Sequence, residues 1–301
     1  MEQSIPYRLP ARPATRDARA TYETIPCEPA SSIRVMRYTG DGFPFRLHYH
    51  PELELTLITR GRGLRFVADS IEEFDDGDLC LLGERILHTW QSSPRSHVGD
   101  AVVVQFSRDV IRPLETGWPE IASITRLLDA SAQGLRFSGR ARRYLVPAIE
   151  TLVATPPGSM ERMARFLETL AVAAADPQTI ALSSTVLPSP QDDQAAGRLN
   201  RVLQHVHTHL TDPLTLADAA ALAGMPPASF CRFFGRMVGK PFVRYVNEWR
   251  IRIACRELLR TSHPITRIAF DCGFENLSNF NRRFRQFKGL TPTDYRRQVA
   301  R

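Results

Sequence analysis

A fifty-residue repeat in the last third of the chain constrains the fold more than any other feature. Phe230, Arg232, Phe234, Gly239 and Tyr245 recur as Phe280, Arg282, Phe284, Gly289 and Tyr295. Upstream the offset is forty-nine, pairing Ala220 and Gly224 with Ala269 and Gly273, so one residue separates the copies at the turn. The second copy, ITRIAFDCGFENLSNFNRRFRQFKGLTPTDYRR, begins with a short apolar run through Ile265, Ile268 and Ala269. Gly273 ends that helix, because glycine tolerates the left-handed backbone of helix stops and tight turns. Phe280, Phe284 and Phe287 then fall on one helical face. The opposite face holds Asn276, Ser278, Asn281, Arg282 and Arg285. Asn and Arg hydrogen-bond base edges bidentately, and Arg also binds phosphate. Seen once, the pattern also suits an amphipathic hairpin with a solvated Arg face. Two copies in register describe a pair of helix-turn-helices built to read DNA.

The segment joining the copies, VRYVNEWRIRIACRELL, carries apolar residues at Val243, Val246, Trp249, Ile253 and Leu258 and predicts one long connecting helix. Thr215 with Asp218 fits a capping box, and Thr291-Pro292 places a cap before a proline at the first helical position. Leu199, Val202, Leu203, Val206 and Leu210 predict a leading amphipathic helix. Charge follows the same boundary. From Arg198 onward there are 18 Lys and Arg against 7 Asp and Glu, whereas the whole chain of 301 residues has a net charge of only +7. A basic nucleic-acid module joined to a neutral or acidic partner domain gives that asymmetry.

The stretch AFDCGFENLSNFNRRFRQFKGLTPTDYR resembles the signature of the AraC/XylS family of bacterial transcription regulators. The resemblance covers about residues 198–298 and rests on the Gly-Phe of the turn, the Phe-x-Arg-x-Phe of the recognition helix, and Gly-x-Thr-Pro-x-x-Tyr-Arg. It implies a seven-helix domain whose two recognition helices, about Pro227–Met237 and Asn276–Gln286, enter adjacent major-groove segments of double-stranded DNA. The matching DNA-facing positions are Ala228, Ser229, Cys231, Arg232 and Arg236 in the first helix. In the second they are Asn276, Ser278, Asn281, Arg282 and Arg285. Phe230, Phe234, Phe280 and Phe284 are core. The first helix is poor in base-reading side chains. A regulator of this kind is cytoplasmic, works as a homodimer and, if an activator, engages RNA polymerase.

Upstream the pattern is β. IRVMRY, LELTLI, LRFVA, DLCLL and AVVVQF are short apolar runs divided by Gly, Asp and Pro at roughly ten-residue spacing, which predicts a sandwich or small barrel over 31–110. Helical spacing follows over 111–175 in LLDASAQGL, RRYLVPAIETLVA and ERMARFLETLAVAAA, with a break at Pro156-Pro157-Gly158. That extension suits dimerisation. Residues 176–197 are Pro-, Ser- and Asp-rich and read as a linker, and residues 1–30 as a disordered leader. The fold class expected is therefore α+β in two domains. Five cysteines (Cys27, Cys80, Cys231, Cys255 and Cys272) are odd in number and lack a CxxC, which argues against a disulfide framework or zinc knuckle. No run approaches the roughly 20 apolar residues of a membrane span, so no membrane partner is expected.

One cluster in the β region bears on chemistry. Gly42, His48, His50, Glu54 and Gly61 have the spacing G-x5-H-x-H-x3-E-x6-G, which resembles the first cupin motif. Gly77 and His88 fit the second, although Gly83, Arg85 and Ser92 depart from it. The resemblance implies a cupin-like barrel in which His48, His50, Glu54 and His88 bind a divalent metal; such a set suits Zn, Mn, Fe, Ni or Cu. Strand parity permits the set without selecting it, because Glu52 shares the parity of 48, 50 and 54. The same residues could instead hydrogen-bond a small effector. Trp90 and Phe66 could stack on a sugar-like ligand, and Arg46 or Arg85 could hold an anion. His205 and His209, at i and i+4, could grip a metal or form a solvated helix face. The function expected is an effector-responsive, DNA-binding regulator. Two alternatives remain at this point: a metal-dependent cupin oxygenase or isomerase with an accessory DNA domain, and a regulator that senses the metal itself.

Overall fold

The computed structural model describes residues 21–23, 25, 30–93, 96–183 and 193–299. It divides into two compact units at about residue 196. The first unit contains strands β1 (Thr21–Tyr22), β2 (Ile33–Gly40), β3 (His48–Tyr49), β4 (Leu53–Arg60), β5 (Gly63–Val67), β6 (Ser70–Phe74), β7 (Leu79–Leu82), β8 (His88–Ser92) and β9 (Gly99–Phe106). Helices α1 (Arg112–Glu115) and α2 (Ala122–Ala130), strand β10 (Leu135–Arg136), helices α3 (Gly139–Ala154) and α4 (Met160–Ala174), and strand β11 (Ile180–Ala181) complete it.

The strands form two sheets, ordered β1-β3-β8-β5-β6 and β11-β10-β7-β4-β9-β2. Every pairing is antiparallel except β1 with β3. The expected barrel does not close. Among the described residues no ladder joins an edge strand of one sheet, β1 or β6, to an edge strand of the other, β11 or β2.

Alternation along β4, β7 and β9 explains why their apolar character is almost continuous. Leu53, Leu55, Leu57, Leu79, Leu81, Val102, Val104 and Phe106 pack in one cluster with α2, α3 and α4. The intervening Ile58, Cys80, Leu82, Ala101 and Val103 join Val67, Phe74 and Trp90 in a second cluster that includes strands of both sheets. A strand covered on both faces loses the polar positions that a half-buried strand shows. Two expectations shift here. LLDASAQGL is not one helix, because α2 ends at Ala130 and Leu135, in β10, pairs with Leu81 of β7. The stretch read as a linker supplies β11, and two residues beyond it Ser183 Oγ donates to Asp69 Oδ1 at 2.6 Å. Residues 1–20 and 184–192, which include most of the expected leader and the middle of the linker, lie outside the described residues.

The second unit consists of α5 (Asp193–Thr208), α6 (Leu216–Leu222), α7 (Pro227–Val238), α8 (Phe242–Arg260), α9 (Ile265–Asp271), α10 (Leu277–Lys288) and α11 (Pro292–Val299). The sequence repeat is a packing repeat. Phe230 and Phe234 lie 5.5 Å apart between ring centroids, and Phe280 and Phe284 lie 5.6 Å apart. Phe234 meets Tyr245 at 5.6 Å, and Phe284 meets Tyr295 at 5.5 Å. All four phenylalanines are fully buried, and each edge-on aromatic contact adds roughly 0.5–1.5 kcal/mol beyond area burial. Gly239 and Gly289 end α7 and α10 in the left-handed region, at φ 72° and 71°. Thr215 and Thr291 both accept the backbone N–H three residues ahead, as their capping pattern predicts. The long connecting helix is present, but Val243 is 51% exposed instead of joining its apolar stripe. Buried Arg250 on α8 donates Nε to the Leu210 carbonyl at 2.9 Å and Nη2 to that of Asp212 at 2.8 Å, tying α8 to the end of the leading helical segment.

Candidate functional site

The two recognition helices fall within two residues of their expected bounds, and their outward faces carry the expected side chains. On α7, Ala228, Cys231, Arg232 and Arg236 are exposed and Ser229 is half-buried. On α10, Ser278, Asn281, Arg282 and Arg285 are exposed. Asn276 differs. It precedes α10 with extended backbone and its Oδ1 accepts the Asn279 N–H at 2.8 Å, so its side chain is the N-cap of the recognition helix. A groove of about 590 Å³ runs between α8 and the start of α10, lined by Val243, Asn247 and Arg250 on one side and Asn276, Asn279 and Arg282 on the other. The α8 residues were not legible as surface, because Val243 reads as part of an apolar stripe.

His205 and His209 lie 4.3 Å apart between ring centroids, and His209 Nδ1, just past the end of α5, pairs with the His205 carbonyl at 3.0 Å. Among the described residues they do not belong to any group of three or more metal-binding side chains. The buried histidine of this helix is His207, which sequence reasoning missed. Its Nε2 lies 2.9 Å from the Tyr245 hydroxyl, and burial pushes its pKa down to about 3. The odd spacing of 205, 207 and 209 gave no sign that the middle one points inward.

In the first unit, His48, His50, Glu54 and His88 come together, each offering a ligand atom within 4.8 Å of the others. The convergence does not follow one strand face. His48 and His88 lie on β3 and β8 of the five-stranded sheet, Glu54 on β4 of the six-stranded sheet, and His50 in the turn between. That turn removes Glu52 from the set: its carbonyl lies 3.1 Å from His50 Nδ1 while its carboxylate stays 3.6 Å from the same nitrogen. The other two imidazoles are fixed in the same way, His48 Nδ1 on the Arg46 carbonyl and His88 Nδ1 on the Ile86 carbonyl, both at 2.8 Å. Anchoring Nδ1–H on a carbonyl sets the tautomer and leaves Nε2 as the donor atom.

Glu54 is the centre of the group. His50 Nε2 is 3.0 Å from its Oε2 and His88 Nε2 is 3.6 Å from its Oε1. Burial works to raise the Glu54 pKa, but His88 and His50 beside it prevail and hold the carboxyl below the usual carboxylate range. Burial also works against the His50 cation, yet Glu54 and Glu52 carry its pKa upward. His88 goes the other way: burial, with His48 alongside, brings it down to about 3, so it is neutral at pH 7. Its Nε2 is buried without a hydrogen-bond partner. Leaving such an atom unsatisfied is unfavourable by roughly 1–3 kcal/mol, and a metal ion would satisfy it. Three oriented imidazole nitrogens and a carboxylate fit a divalent transition metal.

The four residues considered for an organic effector are not brought together. Phe66 pairs with Thr89 across β5 and β8, whereas Trp90 pairs with Arg65, so Phe66 and Trp90 sit on opposite faces of their sheet. Phe66 packs edge-on against Phe45 at 5.1 Å. Arg46 and Arg85 are exposed, Arg85 with a left-handed backbone at φ 58°. Trp90 is committed to a buried polar network that the sequence did not reveal. Arg65 pairs with Asp78 and, at 2.6 Å, with Glu72, while Trp90 Nε1 donates to Asp78 Oδ2 at 3.4 Å.

Residues 219–298 match the family described as a helix-turn-helix domain. The HTH-type transcriptional regulator YdeC of Bacillus subtilis is 32% identical over 33% of this chain and 34% of its own length. Regulatory protein PocR of Salmonella typhimurium is 33% identical over 40% of this chain and 39% of its own. The HTH-type transcriptional activator RhaS of Klebsiella pneumoniae is 23% identical over 84% of this chain and 87% of its own. The chain thus spans between a third and two fifths of the length of YdeC and PocR.

Proposed function

We propose that this chain, whose C-terminal domain is a helix-turn-helix domain of the AraC/XylS type, is a transcription regulator with a cupin-like sensor domain. The observation that carries the reading is the doubled recognition unit. Two helices with the same internal packing present Arg232 and Arg236 on one surface and Asn281, Arg282 and Arg285 on the other. They would address major-groove segments about one helical turn, roughly 34 Å, apart. Their arginines would neutralise phosphates and make affinity fall steeply with salt. The relatives named above are regulators, which supports this reading over an enzyme with an accessory DNA domain. Among the described residues no helix is long and apolar enough to cross a membrane.

A metal-responsive version is favoured by the buried, unpartnered His88 Nε2. His48, His50, Glu54 and His88 would hold the ion, which when bound supplies a positive centre with open positions for a small oxygen ligand such as a sugar-like effector. The helical segment 111–175 would support a homodimer, and contact with RNA polymerase would follow if the protein activates. Footprinting on DNA upstream of its own gene tests the regulator: protection is expected from the wild type and its loss from Arg282→Ala. Absence of protection, or protection unchanged in the variant, would sink it. Elemental analysis of the purified chain tests the metal, and a metal-free protein would remove the metal-responsive version while leaving an organic effector.

A further inference from the structure

A polar row crosses three strands behind the candidate metal centre. In the register of the six-stranded sheet Glu54 on β4 stands opposite Gln105 on β9, which stands opposite Arg34 on β2. Arg34 Nη1 donates to Gln105 Oε1 at 3.1 Å, and Gln105 Nε2 donates to Glu54 Oε2 at 2.9 Å. From the same strand as Glu54, Thr56 Oγ1 donates to Oε1 at 2.5 Å. Glu54, Thr56 and Gln105 are all buried. Thr56, Gln105 and Arg34 are not among the fixed positions of either cupin motif, and none has metal-binding chemistry that would draw notice in the sequence.

We propose that Thr56, Gln105 and Arg34 are positioning residues that fix the Glu54 carboxylate as a ligand for a divalent transition metal. The inference rests on the metal reading of the four-residue cluster. A buried carboxylate can turn about its terminal torsion, which has broad preferences. Here Oε1 accepts from the Thr56 hydroxyl and Oε2 from the Gln105 amide, while His50 Nε2, a ligand atom of the same cluster, lies 3.0 Å from Oε2. The amide itself is a two-way group, because its oxygen and nitrogen ends have the same shape. Arg34 resolves that choice: a guanidinium has only donors, so it selects Oε1 and directs Nε2 at Glu54. The row therefore defines which lone pairs remain for an ion and where they point. Outer partners of this kind typically change metal affinity by about 10–100-fold when removed.

The test uses the full chain stripped of metal and titrated with cobalt(II). Affinity is read by competition with a chelator, and the ligand set by the visible absorption of the bound ion. Thr56→Val and Gln105→Leu are expected to weaken cobalt binding by about 10–100-fold and to alter the absorption band. Thr56→Ser, which keeps the hydroxyl, should retain both, and Arg34→Met, which leaves every group touching Glu54 in place, should show a smaller loss. Thermal unfolding of each metal-free variant separates a lost ligand geometry from a lost fold, and should Thr56→Val fail to fold, Gln105→Leu and Arg34→Met carry the test. Wild-type affinity and spectrum in the folded variants overturn the inference and leave the metal reading standing. Failure of the wild-type chain to take up cobalt overturns that reading and the inference with it.

Discussion

Arg282 reaches back one turn of α10 to the Asn279 side chain at 3.1 Å, and fifty residues earlier Arg232 reaches Ser229 on α7 in the same way at 3.5 Å. The repeat thus extends from buried aromatics to the surface that would meet DNA. The chemistry at equivalent positions is unequal. Asn281 and Arg282 on α10 correspond to Cys231 and Arg232 on α7, so at these two positions α10 carries two side chains able to pair bidentately with a base edge and α7 carries one. Arg282→Ala is expected to reduce affinity by about 1–3 kcal/mol and relax base preference at its position. Asn281→Ala should act in the same direction, and Ser229→Ala or Cys231→Ala should change preference much less. Selection from a partly randomised site decides this, and equal effects from both helices would refute the asymmetry.

Asn276 has the residue type of a base reader and the geometry of a cap. Because its carboxamide accepts the Asn279 N–H, Asn276→Ala is expected to lower stability by about 1 kcal/mol. Asn276→Ser, which can still cap, should recover most of it. Sequence preference should follow the wild type in both. Urea unfolding together with binding to the footprinted site checks the two halves of the statement.

How far the sequence carried depended on whether a feature is local. Helix caps, the glycine stops and the Phe-x-x-x-Phe faces are set by residues three or four apart, and these lie where periodicity places them. Strands β6 (SIEEF) and β8 (HTWQS) are mostly polar, and β10 and β11 have two residues each, so none of the four forms the apolar run that marks β5 and β7. Strand parity left Glu52 and Glu54 equivalent; the turn at residues 50–52, which takes the chain from one sheet to the other, distinguishes them. The supporting row Arg34–Gln105–Glu54 spans seventy-one residues of sequence and exists only through cross-strand register. No pattern along the chain encodes it.

Buried Arg65 pairs with buried Asp78 and with the half-exposed Glu72, a network that a sequence with alternating strands does not advertise. Removing one partner of a buried pair strands the other charge, which is far more damaging than losing the pair together. Asp78→Ala is therefore expected to destabilise the protein by roughly 3–5 kcal/mol, leaving Arg65 with Glu72 alone and Trp90 Nε1 without its acceptor. The double variant Arg65→Met, Asp78→Leu should be less harmful than the sum of its single changes. Chemical denaturation of the four proteins closes the cycle, and strict additivity would show that the two charges are not coupled.

His207 should make the helix-turn-helix unit acid-sensitive. Burial among α5 and α8, with Trp249 4.3 Å away between ring centroids, pushes its pKa down to about 3, against 6.5 for an ordinary imidazole. The unfolded chain therefore binds a proton at this residue at a pH where the folded chain does not. Its contribution to stability is complete above about pH 6.5 and falls as pH drops toward 3, by about 1.4 kcal/mol per unit within that window. His88, also lowered by burial, contributes acid sensitivity of the same sign, so the assignment needs a difference. His207→Gln removes the titrating group and retains an amide that can meet the Tyr245 hydroxyl. The variant should lose stability at pH 7 but show a shallower decline from pH 6.5 to 4.5 than the wild type, measured by urea unfolding at each pH. Parallel declines in the two proteins would mean that His207 is not the group whose protonation unfolds the domain.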